Sequence, residues 1–203
     1  YEASAYQIDW KDIQQRNYLQ QCGLAYIDNN GKARVRGFDL QGTVKPVDFF
    51  TLELAVGYTD AKYVMNAYRS PAPGAPLSVQ SGDALDGVTP WTFVVGGIAD
   101  FNVAGRNAYA RFNYEYSSRQ NETPVQNPVT SQYDANLPVI PATHMVRVRA
   151  GIDFDGLNVA LFCDNLFDAH PRLSRSHSDR YTLLYTNTTF RPRTAGVTVT
   201  YRY

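Results

Sequence analysis

The chain has 203 residues, of which 44% are hydrophobic, 13% aromatic and 19% charged, with Lys+Arg and Asp+Glu at 19 each. There is enough apolar material for a folded domain, which excludes a disordered tail. The zero balance gives no general pull toward nucleic acid or anionic surfaces. No run approaches the roughly 18 apolar residues of a transmembrane helix. Two cysteines, Cys22 and Cys163, are too few for a disulfide scaffold and match no metal motif.

In chain order, eight segments alternate apolar and polar residues, near 2–13, 33–46, 49–63, 91–103, 107–119, 143–155, 157–166 and 192–203. Each is about the length of a tilted strand that crosses a bilayer, about 9–11 residues. In "FTLELAVGY", Phe50, Leu52, Leu54, Val56 and Tyr58 share one face because side chains alternate at period two. "AYARFNYEY" and "MVRVRAGIDF" repeat the pattern, and no helical period of comparable length competes. The chain reads as all-β. Three connections are tight: Pro46-Val47-Asp48, Ala104-Gly105-Arg106 and Asp155-Gly156, the last suited to a two-residue hairpin. The others, near 14–32, 64–90, 120–142 and 167–190, are long and rich in Pro, Asn, Ser and Thr. Short turns at one end and long loops at the other are the pattern of an outer-membrane barrel.

Glu53, Arg111, Glu115, Arg147, Arg149 and Asp153 alternate with apolar residues in mid-strand and predict a lumen-facing charged wall. A soluble sandwich with a solvated outer face explains that alternation equally well. It explains less well why Trp10, Tyr58, Tyr63, Trp91, Tyr114, Tyr116, Tyr201 and Tyr203 gather toward strand ends, where a membrane barrel carries its aromatic girdles. The final strand, "TAGVTVTYRY", puts Ala195, Val197, Val199, Tyr201 and Tyr203 on one face.

Six stretches in order, "YQIDWKDIQ", "NNGKARVRGFDLQG", "GDALDGVTPWTF", "AYARFNYEY", "LFCDNLFD" and "FRPRTAGVTVTYRY", resemble the C-terminal part of a TonB-dependent outer-membrane receptor. The resemblance covers essentially the whole chain. It implies an antiparallel up-and-down transmembrane β-barrel of about 22 strands with a plugged lumen, of which residues 1–203 supply about eight strands, the plug and N-terminal strands lying elsewhere. It also implies a Gram-negative outer-membrane location and active import of a scarce nutrient, most often a ferric siderophore. The implied partners are the TonB energy-transducing complex (through the plug), outer-membrane lipid and lipopolysaccharide, the barrel-assembly machinery and a ferric chelate or other nutrient ligand. Val197, Val199, Tyr201 and Tyr203 would form the assembly signal; the family's last residue is most often Phe, and Tyr203 keeps it aromatic.

The loop "DAHPRLSRSHSDRYTLLY" gathers His170, Arg172, Arg175, His177 and Arg180. Such a cationic group in an external loop can hold an anionic chelate through charge-assisted hydrogen bonds; a solvated loop is the plainer explanation. On the wall, Arg147 and Arg149 could pair with Glu115, Glu53 or Asp153 across strands; the resemblance implies that this wall faces the plug, so contact with the plug is the other reading. No nucleotide, metalloprotease or serine-hydrolase motif occurs, so neither an enzyme nor a cofactor or metal is expected. Two other readings stand beside the receptor: a self-contained eight-stranded barrel with a structural or adhesive role, and an outer-membrane hydrolase using Asp168, His170 and His177. The first requires the strand near Ala3 to pair with the last strand. It must also fill a narrow lumen despite Ala55, Gly57, Gly96, Gly151 and Gly196.

Overall fold

The structure is a computed structural model. It describes the backbone of residues 1–19, 24–29, 31–70, 72–177 and 182–202, and the side chains of these except 15–19, 24, 25 and 28. Cys22, Arg180 and Tyr203 therefore lie outside the described residues.

The described chain is all-β, without helices, and eight long strands form one antiparallel sheet. They are β1 (Glu2–Lys11), β4 (Lys32–Val47), β5 (Phe50–Tyr63), β8 (Trp91–Val103), β9 (Arg106–Ser117), β10 (Thr143–Phe154), β11 (Leu157–Asp164) and β14 (Thr194–Tyr201). Sheet order follows chain order, β1-β4-β5-β8-β9-β10-β11-β14, which is an up-and-down wall. Among the described residues no ladder joins β1 to β14; they are the two edges of an open sheet. That removes the support for a self-contained eight-stranded barrel, which needs those strands paired.

The sequence pattern did not predict three short hairpins inside the long connections: β2 (Gln14–Leu19) with β3 (Leu24–Asn29), β6 (Ala67–Tyr68) with β7 (Leu77–Val79), and β12 (Ser174–Ser176) with β13 (Thr186–Thr188). The last two are too short to show any period.

The tight turns have local causes. Ala104-Gly105 has φ of 51° and 78°, and Asp155-Gly156 has 47° and 94°, the double left-handed backbone of a two-residue turn matched to strand twist. The first turn lies later than the sequence suggests, on Asp48-Phe49, because β4 runs on to Val47 through a register shift after Val44. Pro46 lacks an N–H for the ladder, which is why the irregularity falls there.

Register sorts the side chains into two faces. One carries Leu54, Val95, Tyr114 and Val146 in a row across β5, β8, β9 and β10, and Ala150, Leu161 and Val197 across β10, β11 and β14. The other carries Gly96, Asn113 and Arg147, then Arg149, Phe162 and Gly196. The apolar face is not covered by a second layer: Leu161 is 61% exposed and Val199 also 61%. On β8 it runs from Trp91 to Phe101, matching the about 9–11 residues that cross a bilayer. Instead of a layered core, the most buried apolar side chains include Ala61, Ala67, Val79 and Ala84, at the foot of the loop that follows β5.

Several small residues on the polar face are not vacancies. Gly151 lies opposite Tyr109 and Gly196 opposite Phe162, and a Cβ at either glycine would meet the ring. A ring over a cross-strand glycine restores the packing that the glycine lacks.

The outer loops and the polar wall

At the long-loop end the apolar face closes with a run of touching rings. Tyr58 and Trp91 have centroids 4.6 Å apart, Trp91 and Phe93 5.8 Å, Phe93 and Tyr116 5.6 Å, and Tyr116 and His144 5.0 Å. All five side chains share the apolar face, and Phe38 joins from β4. Amphipathic rings at that level suit a membrane–water interface. Beyond the band the same face turns charged, with Arg34 bonded to Asp9 at 2.6 Å and Lys62 to Asp60 at 2.8 Å. Trp10 and Tyr63 do not belong to the band. Both pair with Ala33 and so lie on the polar face.

The three long loops after β5, β9 and β11 are tied to one another. Between the first two, Ser131 N donates to Leu77 O at 2.7 Å, Ala84 N to Glu122 O at 3.0 Å, and Asn127 Nδ2 to Asp83 Oδ1 at 2.7 Å. Between the second and third, His177 Nε2 meets Asp134 Oδ2 at 2.8 Å, with both side chains 7% exposed, and Arg172 Nη2 donates to Val139 O at 3.3 Å. The base of the third loop is pinned by Asn165, which is 2% exposed at φ 51°. Its Nδ2 donates to Ala169 O at 3.0 Å and Arg191 O at 2.8 Å, and its Oδ1 accepts from Ala169 N at 2.8 Å.

The residues expected to hold ligand have different surroundings. His170 is half-exposed, 3.8 Å from Asp168. The guanidinium of Arg175 stacks 4.1 Å over Tyr185, and His177 packs on the same ring at 5.2 Å. Arg172 Nε, Arg175 Nε and His177 Nδ1 are buried without a hydrogen-bond partner. Asp134, Tyr185 and Asn165 are the residues that sequence reasoning missed. Only Asn165 has a sequence signal, within "DNLFD". Among the described residues no cluster of potential ligands could hold a metal ion.

All six wall residues share the polar face. Arg147 pairs with Glu115. Asp153 accepts from Asn158 Nδ2 at 2.7 Å. Arg149 does not meet the carboxylates expected for it. It lies directly opposite Arg111 on β9 and donates to Thr198 Oγ1 at 2.9 Å. The expected pairings failed there because the residue facing Arg149 is another cation. Val197, Val199 and Tyr201 lie on the apolar face, opposite Leu161, Val159 and Leu157. Cys163 is a free thiol on that face, between Val148 and Ala195.

An antiparallel up-and-down wall, bare and apolar on one side, charged on the other and looped at one end, is part of a transmembrane-type β-barrel. A family profile described as "TonB dependent receptor-like, beta-barrel" matches residues 1–166, and the chain belongs to that family. In fold it is similar to the crystal structure of the ferric yersiniabactin uptake receptor FyuA from Yersinia pestis, with a TM-score of 0.72 at 14% sequence identity. That likeness covers 98% of this chain and 27% of the FyuA chain, so the chain spans about a quarter of the relative's length. No curated protein matches the sequence significantly.

Proposed function

We propose that this chain is the C-terminal barrel segment of a TonB-dependent receptor that imports a scarce nutrient, a ferric siderophore, across a Gram-negative outer membrane. The observation that carries this is the alignment of an aromatic band with interlocked loops at one end of a wall whose apolar face is uncovered. In this reading the apolar face meets lipid, the cations above the aromatic band meet lipopolysaccharide, and the polar face lines the lumen. The loops form the outer mouth, where His170, Arg172, Arg175, His177 and Arg180 contribute to ligand capture. The FyuA likeness supports a ferric chelate as the ligand class. A plug carried by the rest of the receptor couples uptake to the TonB complex, and β14, with Val197, Val199, Tyr201 and Tyr203, is what the barrel-assembly machinery reads. The segment performs no catalysis.

Two measurements test this. Mass spectrometry of outer membranes, following the tryptic peptide "AGIDFDGLNVALFCDNLFDAHPR", is expected to trace it to a much longer parent. A mature protein of about this size would sink the proposal. Deleting residues 169–190 from that parent should abolish growth on a ferric chelate as sole iron source while leaving insertion intact. If hydrolytic activity were found instead, and alanine at Asp168, His170 and His177 removed it, the hydrolase reading would replace this one.

A further inference from the structure

Arg111 and Arg149 occupy directly opposed positions on β9 and β10, and both belong to the polar face. Like charges at that cross-strand separation, about 4.5–5.5 Å between Cβ atoms, destabilise a sheet. One step along the strands, Arg147 has a carboxylate in Glu115. The opposed pair has none: Arg149 holds a hydroxyl, that of Thr198, and Arg111 has no hydrogen-bond or ion-pair partner among the described residues. Around them lies a depression of about 340 Å³, lined also by Asn113, Arg147, Phe162 and Asp164. The amide and hydroxyl supply further donors. Phe162 gives the depression an apolar edge, and charge-assisted bonds strengthen where water is thinned.

We propose that Arg111 and Arg149 form a clamp for a single carboxylate on the lumenal wall. Three arginines against Glu115 and Asp164 leave one positive charge, which matches a monoanion rather than a phosphate dianion. Each guanidinium carries a planar fork of donors, the geometry that suits a carboxylate. Its source is either an acidic side chain of the same receptor or a small carboxylate in the lumen. The clamp depends on the receptor reading above for its lumenal setting, and mass measurement of the parent chain tests that reading separately.

The test turns on a sign. Without an anion, Arg111→Gln relieves repulsion, and the intact receptor in detergent melts at the same or a higher temperature. With one, the same change leaves a carboxylate half-held, and the melting temperature falls by about 2 °C or more. Because Arg111 has no hydrogen-bond or ion-pair partner among the described residues, its loss breaks no bond made there. Arg147→Gln, which removes the Glu115 pair, provides a measure of an ordinary wall ion pair. An unchanged or raised midpoint for Arg111→Gln overturns the clamp. If the fall persists after exhaustive dialysis into sodium chloride, the carboxylate is a resident side chain. If it disappears on dialysis and returns with sodium acetate at equal ionic strength, the carboxylate is a small molecule.

Discussion

Asn165 shows how one side chain fixes a loop. Its left-handed φ of 51° is tolerated because a short amide can bond its own neighbourhood. From there it bridges Ala169 and Arg191, the two ends of the loop after β11. Asn165→Ala should cost about 1–2 kcal/mol, since it leaves three part-buried backbone groups without their bonds. A denaturant titration of the folded receptor in detergent checks the figure. Asn165→Asp keeps the acceptor for Ala169 N but sets a carboxylate against two carbonyls, so it should rescue little. A full rescue by Asp would show that the turn conformation, rather than the donated bonds, carries the effect.

Among elements, the link that matters for the mouth is between the loops after β9 and β11. His177 and Asp134 meet at 7% exposure each, and Asp134 Oδ1 also accepts from Asn136 N at 2.9 Å. Removing the imidazole takes away a buried contact between the two loops, while Asp134 keeps its bond from Asn136 N. His177→Ala is therefore expected to raise protease cleavage and amide exchange within 130–137 while the strands keep their protection. Unchanged exchange there would mean that the loops hold without the pair. The long strands were legible because period two survives in any window of their length, as in Phe50–Tyr58. The His177–Asp134 pair was not, because it joins residues from separate loops that share no period and no motif. Arg149 shows a second limit: alternation gave its face, but only the register could show that Arg111, and no carboxylate, stands opposite.

For the whole molecule, the two faces make opposite demands on the solvent, and depth along the wall grades them. Leu161 lies mid-strand on the apolar face at 61% exposure, whereas Tyr201 lies at its short-turn end at 66%. If lipid covers this face, Leu161→Arg should cost about 2–4 kcal/mol and Tyr201→Arg about 0–1 kcal/mol. Thr200→Arg, on the polar face opposite Asn158, should be nearly silent in stability. Detergent-solubilised unfolding of the three variants of the intact receptor measures the gradient, and equal costs at Leu161 and Tyr201 would contradict a bilayer. The edges set a further condition. Among the described residues β1 and β14 each have an unpaired side, and bare backbone donors and acceptors cannot remain so in hydrocarbon. The 203-residue chain expressed alone should therefore fail to insert as a heat-modifiable barrel and should aggregate through its edges. Supplying the missing strands, by expressing the full parent, should recover a folded band that shifts on boiling. A folded, monomeric band from the short chain would mean that β1 and β14 can close on each other, and that the open sheet is not its resting form.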